Sequence, residues 1–190
     1  MNKTAAIGAV LDVVRTEPIV FTTGHASHIA SGIADRPNHF YMTGSMGLAS
    51  SIGIGIAQQT RRPTVVVDGD GSLLMNPVGL FTAGSLRDLP LVHVVLDDGR
   101  YASTGGQAVT PAGADFEALA VACGYRGVRR VKDVARLSAI LRVETRDCAS
   151  PVFIHCILSD VDDRVDGRVD RNLHEYTKRL RGHIRAQLAA

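Results

Sequence analysis

Two acidic turns offer the strongest chemistry in this sequence. Asp68-Gly69-Asp70-Gly71-Ser72 follows the β-branched run Val65-Val66-Val67, and Asp97-Asp98-Gly99 follows a second apolar run, Leu91 to Leu96. Carboxylates are hard oxygen ligands, and one from each turn, here Asp70 and Asp98, suits a divalent cation whose coordination backbone carbonyls complete. Gly69 and Gly71 let the chain turn sharply beside Asp70 and approach a ligand closely. Ser72 adds a hydroxyl, and the amides of such a turn favour phosphate oxygens. The pattern suits a magnesium-bridged diphosphate. Either turn alone reads equally well as a polar strand cap, because Asp-Gly pairs are common turn formers.

The elements around the turns decide between these readings. An amphipathic segment from Pro77 to Arg87 joins the two apolar runs. Strand, loop, helix, strand is a βαβ unit, and its crossover brings both acidic loops to one edge of a parallel sheet. Ligands of such sheets bind at the carboxyl ends of the strands. Two acidic turns at that one edge favour the ligand site over plain capping.

The rest of the chain repeats the pattern. Ile7, Val10, Leu11 and Val14 give a helical period over about Thr4 to Arg15. Ile19-Val20-Phe21 is a short buried strand, ending in Thr22-Thr23-Gly24-His25-Ala26-Ser27 before a helical stretch to about Ile33. That third strand-to-helix loop could present helix N-terminal amides to an anion, or be an ordinary hydroxyl cap. Phe40-Tyr41-Met42 is a brief strand before a glycine-, alanine- and serine-rich stretch from Thr43 to Ala57, in which Met46 stands out between Gly44 and Gly47. Residues Gly99 to Gln107 form a polar loop able to close over a substrate, although many surface loops share that composition. A helix from about Asp115 to Cys123 stopped by Gly124, a strand near Tyr125 to Val128, a helix over Lys132 to Thr145, a strand Val152 to Leu158 and a last helix Leu173 to Leu188 complete the chain. Asp160 to Asp170 reads as a charged surface loop. The fold class is α/β, a single three-layer domain with a mostly parallel sheet of about six strands.

Bulk properties exclude several functions. At 190 residues with 45% hydrophobic side chains, the chain is one domain able to bury a core. A formal charge of +2 is too small for a nucleic-acid surface, and the arginines between Arg164 and Arg185 alternate with acids as on a solvated helix face. No apolar run is long enough to span a bilayer, and the N-terminus lacks a signal peptide's apolar centre. Cys123, Cys148 and Cys156 form no CxxC pair and are odd in number, which points to reduced thiols in the cytoplasm. His25 and His28 have metal-compatible spacing but no accompanying zinc signature, and His93 and His155 lie inside apolar strands as core histidines would. Neither a Gly-x-Ser-x-Gly elbow nor a Walker loop is present.

Taken together, the ordered motifs resemble the diphosphate-binding domain of thiamine diphosphate enzymes, over about residues 19 to 128. The family signature of Gly-Asp-Gly followed by an Asn-Asn or Asp-Asn pair corresponds to Gly69-Asp70-Gly71 and Asp97-Asp98. Thr22-Thr23-Gly24, Phe40 through Ser51 and Ser103-Thr104-Gly105-Gly106-Gln107 look most like the sulfopyruvate and phosphonopyruvate decarboxylase branch. The resemblance implies that Asp70 and Asp98 bind Mg2+ through their side chains and Arg100 through its carbonyl. It implies that Thr23, Gly24, His25, Gly69, Gly71 and Ser72 hold the diphosphate. The Gly44 carbonyl would meet the aminopyrimidine, with Ser45 beside it, and Met46 would support the bent cofactor beneath its thiazolium ring. His25, His28 and Arg100 become candidate contacts for an anionic 2-oxo acid such as 3-sulfopyruvate or phosphonopyruvate, decarboxylated to an aldehyde.

One departure is Asp98, where the family usually carries asparagine. It adds a negative charge near an anionic diphosphate, a repulsion of about 4 kcal/mol at about 4 Å and an effective dielectric of about 20. These enzymes also need a pyrimidine-binding domain that supplies a glutamate to the cofactor, and the chain holds no second domain. The resemblance therefore implies a β-type subunit acting with a separate α-type subunit, in a hetero-oligomer containing at least two copies. An acetolactate-synthase-like carboligase subunit and a non-catalytic cofactor-binding or assembly module remain the alternatives.

Overall fold

The computed structural model describes residues 1–110, 114–159, 169 and 172–189. The charged stretch from Asp160 to Asp170 lies almost wholly outside them. Six strands form one parallel sheet: β1 (Ile19–Phe21), β2 (His39–Tyr41), β3 (Thr64–Gly69), β4 (Leu91–Asp97), β5 (Gly127–Val131) and β6 (Val152–Ile157), in the order β2-β1-β3-β4-β6-β5. The near-continuous apolar runs of β3, β4 and β6 follow from this topology, because helices cover both faces of a parallel sheet.

Alternate residues of one strand feed opposite layers. Val65 and Val67 pack with Ile7, Val10, Ile29, Leu137 and Leu141, from α1 (Lys3–Val13), α2 (His25–Ile33) and α7 (Val134–Glu144). Val66 packs on the other side with Ile54, Leu73, Leu80 and Ala120, from α3 (Ala49–Thr60), α4 (Asp70–Met75), α5 (Val78–Ser85) and α6 (Phe116–Cys123). The last helix, α8 (Leu173–Ala189), docks on edge strand β2, where Arg179 forms a fork with Asp35 at 2.6 and 2.7 Å. Side-chain caps mark four helix starts: Asn2 accepts from the Ala5 amide, Asp115 from Ala118, Asp133 from Arg136 and Asn172 from Glu175. Gly124 ends α6 at φ +100°, the left-handed conformation glycine adopts without strain.

Several boundaries differ from the sequence expectation, each for a local reason. Asp68 and Gly69 complete β3, and Asp70-Gly71-Ser72 opens α4 directly, so the acidic turn is a strand-to-helix junction with no loop between. The fifth strand is Gly127–Val131 rather than Tyr125 to Val128, because Tyr125 is still tied by its amide to the Ala120 carbonyl at the end of α6. The following helix starts at Val134, two residues later than Lys132, where the Asp133 cap places it.

The strand order sets the location of a site. From β1 the chain crosses to β2 on one side; from β3 it crosses to β4 on the other. The connections after β1 and β3 therefore diverge, and open parallel sheets bind ligands in the crevice at such a switch point. The Thr22–His25 and Gly69–Ser72 segments flank that crevice.

Candidate cofactor and metal site

Three chain segments are held together at the carboxyl edge of β1 and β3. The Ser72 hydroxyl lies 2.9 Å from the Thr22 hydroxyl and accepts a hydrogen bond from the Gly47 amide at 3.1 Å. The Ser27 hydroxyl, fully buried, donates to the Thr22 carbonyl at 2.7 Å. Asn76 donates to the Gly47 carbonyl at 3.2 Å, and Gly47, at φ +93°, presses so closely on Asn76 that a Cβ there would lie 2.8 Å from the Asn76 Cβ. Glycine is required at that position both for its backbone angle and for its closeness.

The cleft between these segments has about 50 Å3 of free volume, room for no more than a few water molecules. Lys3, Thr22, Thr23, His25, Asp70 and Ser72 line it, and Gly69, Gly71, Met46 and Arg100 join them. Tyr101 to Ser103 form its outer wall. Their segment is folded back on itself by amide bonds from Tyr101 to the Gln107 carbonyl and from Val109 to the Gly99 carbonyl. The Tyr101 ring lies against Gly71 where a Cβ would go, and a Cβ on Gly24, at φ +85°, would meet the Ser103 hydroxyl at 3.2 Å. A diphosphate can enter only if this wall shifts outward.

Asp70 is almost completely buried, and its Oδ2 accepts the Gly99 amide at 2.9 Å, which links the two acidic turns directly. Burial pushes its carboxyl up to about 7, and the charges of Asp97 and Asp98 add to that while the Gly71 amide opposes it. A bound divalent ion would reverse that electrostatic balance and favour the ionised carboxylate.

Asp97 behaves differently from its neighbour. Burial works against its ionisation, but hydrogen bonds from His155 and Asp70 and the His155 charge outweigh burial and hold its carboxyl below the ordinary range. His155 Nε2 lies 2.8 Å from Asp97 Oδ2, and Nδ1 lies 2.6 Å from Glu117 Oε1, which also receives Arg130 Nε at 2.6 Å. Burial disfavours the His155 imidazolium, yet the two carboxylates prevail and hold its pKa above the usual value. A line of alternating charge thus runs from Arg130 to Asp97, behind the cleft. The second core histidine, His93, lies 3.2 Å from the Tyr125 hydroxyl and 3.5 Å from buried Asp68.

The sequence-derived candidates separate into three groups. Thr23, His25, Met46, Gly69, Asp70, Gly71, Ser72 and Arg100 line the cleft, and Gly24 sits at its rim against Ser103. Gly44 and Ser45 are exposed and line a separate hollow of about 400 Å3 with Phe40, Met42 and Leu48, which Met46 does not join. Asp98 and His28 are not among the lining residues of the cleft. The Asp98 carboxylate instead pairs with Lys3 at 3.0 Å. Tyr101 lies in the Gly99 to Gln107 loop that the sequence marks as able to close over a substrate, whereas sequence reasoning missed Lys3 and the His155 network. Only the latter had a signal, a histidine and a neighbouring acid in adjacent apolar strands.

The residues fit a magnesium-bound diphosphate. Asp70 offers a buried hard oxygen, the Asp98 Oδ1 atom is buried without a hydrogen-bond partner among the described residues, and Gly71 and Gly24 contribute no side chain of their own, the space beside them being taken by Tyr101 and Ser103. No helix among the described residues is long and apolar enough to cross a membrane.

The chain is similar to known proteins of one family. Residues 22–156 match the family described as thiamine pyrophosphate enzyme, C-terminal TPP binding domain. A phosphonopyruvate decarboxylase of Streptomyces viridochromogenes is 45% identical over 130 residues, covering 68% of this chain and 33% of that protein. A second, from Streptomyces hygroscopicus, is 39% identical over 163 residues and 40% covered, so the chain spans roughly a third to two fifths of these relatives. A sulfopyruvate decarboxylase subunit beta of Methanothermobacter thermautotrophicus is 38% identical over 155 residues, covering 82% of this chain and 80% of that subunit. A solved thiamine diphosphate-dependent 4-hydroxybenzoylformate decarboxylase from Rhodococcus jostii shares the fold, with a TM-score of 0.69 at 17% identity, over 86% of this chain and 33% of that one.

Proposed function

The chain belongs to the thiamine pyrophosphate enzyme family, and we propose that it is the β-type subunit of a two-chain, magnesium-dependent 2-oxo acid decarboxylase. The observation that carries the proposal is buried Asp70 at the β1/β3 crevice, bonded to Gly99 of the second acidic turn and walled by hydroxyl and glycine positions. Asp70 and the Arg100 carbonyl would hold Mg2+ together with Asp98, and Thr23, Gly24, His25, Gly69, Gly71 and Ser72 would cradle the diphosphate. When bound, thiamine diphosphate supplies the electron sink that lets a 2-oxo acid lose carbon dioxide. The protein's own part is orientation and charge: Met46, which lines the cleft, would support the bent cofactor, and Tyr101 to Ser103 would exclude water once the cleft is filled.

The substrate is proposed to be small and anionic, 3-sulfopyruvate or phosphonopyruvate, in keeping with the names of the relatives. His25 and Arg100, which line the cleft, are its proposed contacts, with His28 behind them on α2. A separate α-type subunit would supply the pyrimidine-binding unit, which coverage of 80% of a subunit named beta supports. The free thiols of Cys123, Cys148 and Cys156 suit the reducing cytoplasm.

The test is carbon dioxide release from each of the two substrates, with magnesium and thiamine diphosphate, by this chain, by the α-type subunit and by their mixture. Activity confined to the mixture, with an aldehyde as product, is expected. Acyloin in place of aldehyde would make it a carboligase instead. Asp98 in place of the family's usual asparagine favours a second reading, a cofactor-free assembly module, for which failure of the mixture to bind cofactor is the expected result.

A further inference from the structure

Lys3 belongs to no motif, yet it joins the first turn of α1 to the acidic turn 95 positions later. Its ammonium lies 3.0 Å from Asp98 Oδ2, and both side chains are largely buried, 12% and 16% exposed. Lys3 itself lines the cleft beside Thr22, Thr23, His25 and Asp70. The other oxygen of the pair, Asp98 Oδ1, is buried and accepts no hydrogen bond among the described residues. Three carboxylates, Asp70, Asp97 and Asp98, crowd this edge of the sheet. His155 answers Asp97, and Lys3 answers Asp98.

We infer that Lys3 is a charge-balancing and positioning residue of the metal-diphosphate site, holding Asp98 at the edge of the cleft and offsetting its charge there. The inference rests on the cofactor reading above. An anionic diphosphate entering a cleft lined by Asp68 and Asp70, with Asp98 paired to the lining Lys3, meets a repulsion that one divalent ion cannot fully cancel. A lysine between the third acid and the cleft removes the excess while leaving Oδ1 as an oxygen ligand. Lys3 acts through Asp98 and through the field in the cleft, not on the reacting atoms.

The experiment is calorimetric titration of thiamine diphosphate, at saturating magnesium, into this chain mixed with its α-type subunit. Wild type, Lys3→Met, Lys3→Arg, Asp98→Asn and the double variant Lys3→Met/Asp98→Asn are compared, with melting midpoints recorded for each. Lys3→Met is expected to weaken cofactor binding by roughly tenfold, the scale of coupling between contacting charged groups. Lys3→Arg, which keeps the charge, and the double variant measured against Asp98→Asn alone, should each stay within about threefold. Unchanged or tighter binding in Lys3→Met would overturn the inference, the latter by making Lys3 a competitor of the metal. A double variant bound as weakly as Lys3→Met would also overturn it, since the role would then be structural. Where Lys3→Met fails to fold, the double variant, which leaves no unpaired charge, decides. Absence of binding in wild type would instead remove the cofactor reading itself.

Discussion

Replacing Asp70 by asparagine should stabilise the metal-free chain while abolishing its cation site. Asp70 is 4% exposed, and burial, reinforced by Asp97 and Asp98, lifts its carboxyl from an ordinary 3.8 to about 7. The folded state therefore holds this proton more tightly than the unfolded chain. Stability it contributes below pH 4 is lost progressively as pH rises to about 7. A difference of about three units, at about 1.4 kcal/mol each, amounts to about 4 kcal/mol in full. About two thirds of that falls between pH 5 and pH 8, roughly 3 kcal/mol. Asparagine is neutral throughout and can still accept the Gly99 amide through its carbonyl oxygen. Other groups titrate in the same range: His155, held above its ordinary value, loses stability as pH rises, and His39, pushed down to about 4 chiefly by burial, gains it. Both occur in the two proteins, and the asparagine amide can still donate to Asp97, whose carboxyl the Asp70 hydrogen bond helps to hold down, so they largely cancel in the comparison. Urea denaturation without metal should thus show Asp70→Asn gaining roughly 3 kcal/mol on wild type between pH 5 and pH 8, and saturating magnesium should stabilise only wild type. A gap that stays constant with pH, or a less stable variant at pH 8, would refute the reasoning.

Three further outcomes follow from the same geometry. Magnesium affinity should fall about tenfold per pH unit below pH 7, because Asp70 must lose its proton to bind; calorimetry at pH 6 and pH 8 checks this, and a flat profile would remove Asp70 as the titrating ligand. Gly71→Ala should cost about 1–3 kcal/mol and weaken cofactor binding, since the new methyl meets the Tyr101 ring, and a melting midpoint equal to wild type would show that the wall yields freely. His155→Leu leaves Asp97 and Glu117 without their shared partner and should cost about 3 kcal/mol in a urea melt at pH 7.

Much of the fold was legible because local and tertiary signals agree. β-branched runs such as Val65 to Val67, spaced by helical periods, admit little besides a parallel sheet with helices on both faces. The crossover rule then placed the two acidic turns at one edge, and the Gly99 amide on Asp70 joins them there. What was not legible depends on distances that no local pattern encodes. The insertion of β6 between β4 and β5 is a choice among long-range pairings. Lys3 sits at an ordinary helix start, and its pairing with Asp98 arises only because α1 packs across the sheet toward that edge. Asp97 and Asp98 look equivalent in sequence, but alternation along β4 directs the first to His155, while the second lies just past the strand end and turns to Lys3. The Gly-Asp-Gly junction reads as a loop because glycine and aspartate disfavour helix interiors, whereas Gly69 caps α4 and Asp70 and Gly71 stand in its first turn, where an acid meets free amides.

The central claim is that Asp70 anchors a magnesium-bridged diphosphate at the β1/β3 crevice. Its most direct test is titration of thiamine diphosphate into the assembled subunits, with magnesium and then with excess chelator, for wild type and Asp70→Ala. The account predicts saturable binding by wild type with magnesium, and none with chelator or in Asp70→Ala. Wild-type binding that survives the chelator, or an Asp70→Ala variant that binds as tightly as wild type, would contradict it.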